Sequence, residues 1–96
     1  MRLFDSDIKI HVKSEEESVK VQSLLFKIGY AWDIGGKEFR NVRAPYLFAY
    51  NIGNITYSNL ESTFEKSPNF IKTCKVLEIY AAQCEKHYTI YGKEIK

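Results

Sequence analysis

The stretch Asp7-Ile8-Lys9-Ile10-His11-Val12-Lys13-Ser14-Glu15-Glu16-Glu17 decides how the rest of the chain is read. From Asp7 to Val12 polar and apolar residues alternate, the period of a strand with one buried face. Ile8, Ile10 and Val12 form that face, which puts His11 on the opposite one. Ser14 then stands three residues before Glu17, the spacing of a capping box, in which each side chain satisfies a free backbone N–H at a helix start. The three glutamates also suit the positive end of the helix dipole. Val21, Leu24, Leu25 and Ile28 follow at i, i+3, i+4 and i+7, one apolar stripe. Lys27 suits the last turn, and Gly29 suits a left-handed C-terminal cap. A strand leading into a capped amphipathic helix over about 15–28 is therefore predicted.

Outward from this unit, Tyr30-Ala31-Trp32 starts a second strand that Gly35-Gly36 interrupts. An irregular basic stretch runs to Pro45. Tyr46–Tyr50 and Ile55–Tyr57 read as a hairpin, with Asn51-Ile52-Gly53-Asn54 as a turn whose Gly and Asn tolerate positive φ. Ser58-Asn59-Leu60-Glu61 repeats the capping-box spacing and predicts a short helix carrying Leu60 and Phe64, ended by Ser67-Pro68. Cys74, Leu77, Ala81, Cys84 and Tyr88 have helical spacing, which predicts a helix over about 74–87. The helix is the favoured reading, with a strand through Val76, Glu78 and Tyr80 as the alternative, since β-branched and aromatic residues are frequent there. His87 to Tyr91 reads as extended. The expected fold class is α+β: a small antiparallel sheet with one main capped helix on one face and one or two shorter C-terminal helices.

The 96 residues suit one domain, 1–96, with no linker or repeat. An aromatic fraction of 15% lets a short chain bury much area per residue. Met1 to His11 lacks the continuous apolar core of a signal peptide. No run approaches the roughly 20 apolar residues that cross a bilayer, so no membrane partner is expected. Two cysteines fit a reducing compartment, which makes the expected location cytoplasmic.

Ile8 to Ser58 resembles small accessory proteins of large tailed bacteriophages of the T-even kind. The resemblance is carried by Ile8-Lys9-Ile10-His11-Val12, Val21-Gln22-Ser23-Leu24-Leu25-Phe26, Gly29-Tyr30-Ala31-Trp32, Gly35-Gly36, Tyr46-Leu47-Phe48 and Ile55-Thr56-Tyr57-Ser58. It covers about half of the chain, and the C-terminal third departs from the pattern. It implies a role outside the replication and virion machinery. Such phage proteins often bind and disable a host protein, such as a restriction enzyme, a CRISPR effector or a toxin component. That host protein is the expected partner, met in the host cytoplasm.

A net charge of +2 does not by itself predict nucleic-acid binding. The charge is uneven, however: residues 35–50 hold Lys37, Arg40 and Arg43 against only Glu38. Gly35 and Gly36 could present consecutive N–H groups to an anion, and arginines add forked donors for phosphate or carboxylate. The Gly-x4-Gly-Lys-Ser/Thr spacing of a phosphate-binding P-loop is absent. A solvated loop without a ligand is the competing reading. Phe39 and Trp32 join the three cations as the expected binding residues, since aromatics among basic residues stack on bases or anchor protein interfaces. The second function class carried forward is thus a nucleic-acid or nucleotide binder using this loop.

His11, Cys74, Cys84 and His87 equal a zinc site in number but lack a Cys-x2-Cys pair. Cys74 and Cys84 would stand about 15 Å apart along a helix axis, too far for a shared ion or an intrahelical disulfide. Buried structural thiols, no metal and no cofactor are expected. No spacing pairs a nucleophile with a base, so no enzyme activity is expected. Asp33 and Glu38 are acids that nothing selects.

Overall fold

The computed structural model describes residues 3–34 and 36–87. In chain order the elements are β1 (Ile8–His11), α1 (Glu15–Ile28), β2 (Ala31–Trp32), β3 (Tyr46–Ala49), β4 (Asn54–Ser58), α2 (Glu61–Lys66), β5 (Phe70–Ile71) and α3 (Cys74–His87). The predicted α+β class is the one observed. The strands form one sheet in the order β2-β4-β3-β1-β5.

Its centre is antiparallel, with β3 between β1 and β4, in the registers Ile10↔Leu47 and Phe48↔Thr56. Both edges are parallel: β2 joins β4, and β5 joins β1. The reason lies in the connections. Antiparallel neighbours can be joined by a tight turn, as β3 and β4 are, whereas a parallel strand is reached by a crossover. Helix α1 lies between β1 and β2 in the chain, and α2 lies between β4 and β5. The sheet is therefore mixed, with the expected antiparallel pairing confined to its middle.

Helix α1 starts as its sequence requires. The Ser14 hydroxyl accepts the Glu17 N–H at 3.0 Å. The reciprocal bond is shifted by one residue: the Glu17 carboxylate accepts the N–H of Lys13 at 2.6 Å rather than that of Ser14. At the other end Gly29 sits at φ 127°, and the N–H groups of Gly29 and Tyr30 both donate to the Leu25 carbonyl. A side chain at Gly29 would be strained in that backbone conformation.

Helix α2 starts differently from the expected capping box. Ser58 is the last residue of β4, and its hydroxyl accepts the N–H of Leu60. Leu60 is the N-cap and supplies no side-chain bond. The strand ladder holds Ser58 two residues too early to reach the helix start. Strand β5 has no counterpart in the sequence reading, for it is two residues long and both are exposed. Helix α3 spans the predicted 74–87 and so settles the helix-or-strand choice for Val76, Glu78 and Tyr80. His87 belongs to that helix, and the extended reading of 88–91 lies outside the described residues.

The main core lies between the sheet and the α1–α3 pair. Ile8, Ile10, Leu47, Ala49 and Ile55 face Val21, Leu25, Ile28, Leu77 and Ala81, all essentially without solvent contact. Tyr30 is buried there as well, and its hydroxyl accepts the N–H of Phe4 at 3.0 Å. Burial pushes the Tyr30 phenol up from its ordinary pKa. The alternate residues of the same strands, Lys9, His11, Tyr46 and Phe48, point to the opposite face. Phe64 of α2 covers that face, stacking on Tyr46 at 4.8 Å between ring centres.

Candidate binding surfaces

Gln22 decides the shape of the basic stretch. It lies on the buried side of α1 and is fully enclosed. Its amide nitrogen donates to the Ser18 hydroxyl at 3.1 Å and to the Arg40 carbonyl at 2.7 Å. Its amide oxygen accepts the Trp32 indole N–H at 3.1 Å and the Arg40 backbone N–H at 3.0 Å. A primary amide has two donors and one oxygen with two lone pairs, so all of its capacity is used. Arg40 is thus held by its backbone against α1, while its side chain stays at the surface. Asn41, at φ 51°, turns the chain just after this clamp.

The expected site residues divide into separate places. The Lys37 ammonium donates to the Phe26 carbonyl at 3.2 Å, in the last turn of α1, where the helix dipole favours a cation. Arg43 pairs with Glu15 at 2.9 Å, in the first turn of the same helix. Arg40 lies between them and pairs with Glu38 at 3.4 Å. The segment thus runs back along α1, and its three cations are strung out over about 16 Å, the length of 11 helical residues. They do not converge on one point. Phe39 is half-exposed and tilts against Phe26 at 5.8 Å. Gly36 sits at φ 62° with its carbonyl accepting the Trp32 N–H at 2.8 Å. Gly35, the other half of the expected anion nest, lies outside the described residues.

Two of the expected residues do meet. Trp32 and Arg40 line an open cleft of about 380 Å³ together with Asp33, Ile34, Asn41 and Tyr57. Trp32 is 7% exposed, and its ring centre lies 6.5 Å from that of Tyr57 in an edge-to-face arrangement. Ile34 and Tyr57 stand well out of the surface, 81% and 46% exposed. The indole is fixed by Gln22 from behind, so the floor of the cleft is preorganised. Ile34 carried no signal in the sequence beyond its place after a strand. Gln22 had one: a polar residue inside the arc of Ser18, Val21, Leu25 and Ile28 has to find partners if that arc is buried.

The histidines and cysteines do not gather. His11 is exposed on the α2 side of the sheet beside Tyr46 and Phe64, whereas Cys74 packs against the core on the other side. Among the described residues no group of three His, Cys, Asp or Glu side chains is placed to hold a metal ion. Cys74 and Cys84 are free and only half-buried, which corrects the expectation of buried thiols. Each is near the end of a surface helix, where one flank of the side chain meets solvent. Burial nevertheless pushes the Cys74 thiol up, with Lys20 opposing, which leaves less of the reactive thiolate at neutral pH.

On the α2 face, Lys9 is 5% exposed. Its ammonium donates to the carbonyls of Phe64 and Ser67 and lies 4.6 Å from the Phe64 ring centre. Those carbonyls end α2, so the lysine completes that helix rather than offering a charge to a ligand. No helix of the described residues is long and apolar enough to cross a membrane. Comparison of the chain with protein-family models, with curated proteins and with solved structures finds no match.

Proposed function

We propose that this chain is a non-catalytic accessory protein that binds and inhibits a host protein, using the cleft between Trp32, Ile34, Arg40 and Tyr57. The observation that carries the reading is the pairing of a fixed aromatic floor with exposed Ile34 and Tyr57. Aromatic anchors beside an arginine are the usual composition of an interface hot spot. A rigid floor also lowers the ordering cost of association. The resemblance to T-even phage accessory proteins supplies the class of partner, a host defence protein among them, and the host cytoplasm as the place of action.

The same geometry weighs against the nucleic-acid or nucleotide reading. A phosphate tract needs several cations along one groove, and each phosphate neutralised adds to the salt dependence. Here Arg40 and Arg43 face carboxylates, and Lys37 faces a helix carbonyl.

The test is capture from bacterial lysate on the immobilised full chain, with and without nuclease. The protein partner should survive nuclease, and Ile34→Asp combined with Tyr57→Ala should abolish its capture. The triple variant Lys37→Ala, Arg40→Ala, Arg43→Ala should weaken and slow association through loss of Arg40 and of steering charge. Its melting should barely change, since exposed side chains contribute within about 0.5 kcal/mol each. Nuclease-sensitive capture that falls steeply with salt would establish the nucleic-acid reading instead.

A further inference from the structure

We infer that the outer side of the α1–α3 pair is where two copies of this chain meet, antiparallel, about a two-fold axis near Lys20 and Ser23. This does not rest on the cleft, with which the surface shares no residue. Helix periodicity supplies the first argument. Glu16, Lys20, Ser23 and Lys27 stand at i, i+4, i+7 and i+11, one stripe along α1 turned away from the buried Val21, Leu25 and Ile28. The stripe lines an open groove of about 520 Å³, whose α3 side is formed by Glu78, Ala81 and Ala82. Small side chains at Ser23 and Ala82 let another helix approach closely.

Charge selects the occupant. Of the three glutamates that open α1, Glu15 pairs with Arg43 and Glu17 accepts the Lys13 N–H. Lys20 stands one turn on from Glu16 but crosses the groove to Glu78, at 3.2 Å. Glu16 is thus left without an ion pair among the described residues. It marks one end of the stripe and Lys27 the other, about 16 Å away along the axis. Lys20, the charge nearest the proposed axis, is neutralised by Glu78 of its own chain. A partner of single sign gains at one end of this groove what it loses at the other. A parallel copy sets Glu16 against Glu16. A copy reversed about a two-fold axis sets Glu16 against Lys27 twice, the reciprocity of an isologous interface.

Apolar surface follows the same symmetry. Phe39 is half-exposed at the Lys27 end, where it tilts against Phe26. Val19, also exposed, lies on the other half of the groove, one turn from Glu16. Reversal brings Phe39 of each copy towards Val19 of the other, so that exposed apolar side chains cover one another at both ends. Ile79, three residues before Ala82 and therefore beside it on the helix surface, is half-exposed as well.

Sedimentation equilibrium of the full chain over a dilution series tests this. The mass should rise from one chain at high dilution to two and no further. Glu16→Lys and Lys27→Glu, each alone, turn both end contacts into repulsions and should weaken the dimer about tenfold, the size that two exposed ion pairs can supply. Mixed in equal amounts, the two variants should restore the dissociation constant of the natural chain, because every end contact then joins opposite signs. Residues 16 and 27 cannot touch within one helix, so restoration by mixing requires contact between chains. If Lys27→Glu fails to fold, Ser23→Tyr takes its place: a ring at the point of closest approach should abolish the dimer and leave the melt unchanged. A single-chain mass at every dilution, variants that dimerise as tightly as the natural chain, or a mixture no tighter than either variant alone would each overturn the inference.

Discussion

The two faces of the sheet are built from the same alternating strands but hold themselves together by different chemistry. On one face, aliphatic side chains meet two long helices, and the polar exceptions, Ser18 and Gln22, bond to one another and to the loop. On the other, a six-residue helix with no buried residue is held down by Phe64 and by a lysine. Alternation in Ile8–Lys9–Ile10 marks which parity is aliphatic. It does not reveal that the other parity is also enclosed, because a lysine stem is apolar over most of its length and can pass through packed surface. The faces should therefore fail in different ways, one globally and one locally.

The largest effect belongs to the helix face. Leu25→Ala, at a position with no solvent contact, should cost about 2–5 kcal/mol in denaturant melts, the transfer term plus an unfilled cavity. Leu60→Ala, at the 62% exposed N-cap of α2, should change stability by less than about 0.5 kcal/mol. Similar losses for both would erase the distinction between the faces.

Gln22→Leu comes next. The volumes are close, so the loss would come from the partners left behind: the Trp32 indole N–H and both backbone groups of Arg40. Each group left buried without a partner costs about 1–3 kcal/mol, though the exposed loop can recover part of this from water. A red shift of Trp32 emission should accompany the loss, because the indole would no longer be held against α1. An unchanged spectrum and melt would mean that the loop is not clamped by this residue.

The N-terminal cap ranks third. Ser14→Ala removes the acceptor for the Glu17 N–H and should cost about 1 kcal/mol in the same melts, within the usual range for N-caps. A loss indistinguishable from zero would mean that the Glu17–Lys13 bond alone suffices to start α1.

These positions also mark how far the sequence could be read. Helices α1 and α3 were legible because periodicity and caps are local, repeated signals. The hairpin was legible from its turn residues. Strand β5 was not, since its place depends on pairing with a strand more than sixty residues earlier in the chain and its own residues follow no burial pattern. Ser58 misled because the capping-box spacing was met inside a strand ladder. The basic loop was found, but its cations were expected to act together. What separates them is the backbone clamp at Arg40, a contact between residues that no local spacing connects.

Lys9→Met has a smaller global effect than Leu25→Ala or Gln22→Leu and gives the sharpest test of the comparison between faces. The substitution keeps the length and apolar character of the stem but removes the ammonium. Two opposing terms result. The carbonyls of Phe64 and Ser67 lose their charged donor, and hydrogen bonds to charged groups contribute more than neutral ones. Against this, a largely buried charge no longer has to be desolvated, an effective cost of several kcal/mol for an ion taken out of water. Global stability should therefore shift by no more than about 1 kcal/mol, the usual net worth of one hydrogen bond. Helix α2 should respond much more strongly. It buries no residue of its own and has no side-chain N-cap, so Lys9 and Phe64 are its principal ties to the sheet. Amide exchange in residues 61–67 should rise while exchange in α1 and β3 stays the same, the pattern of local rather than global opening. Uniformly faster exchange across the chain would mean that the two faces unfold together and that α2 belongs to the main cooperative unit.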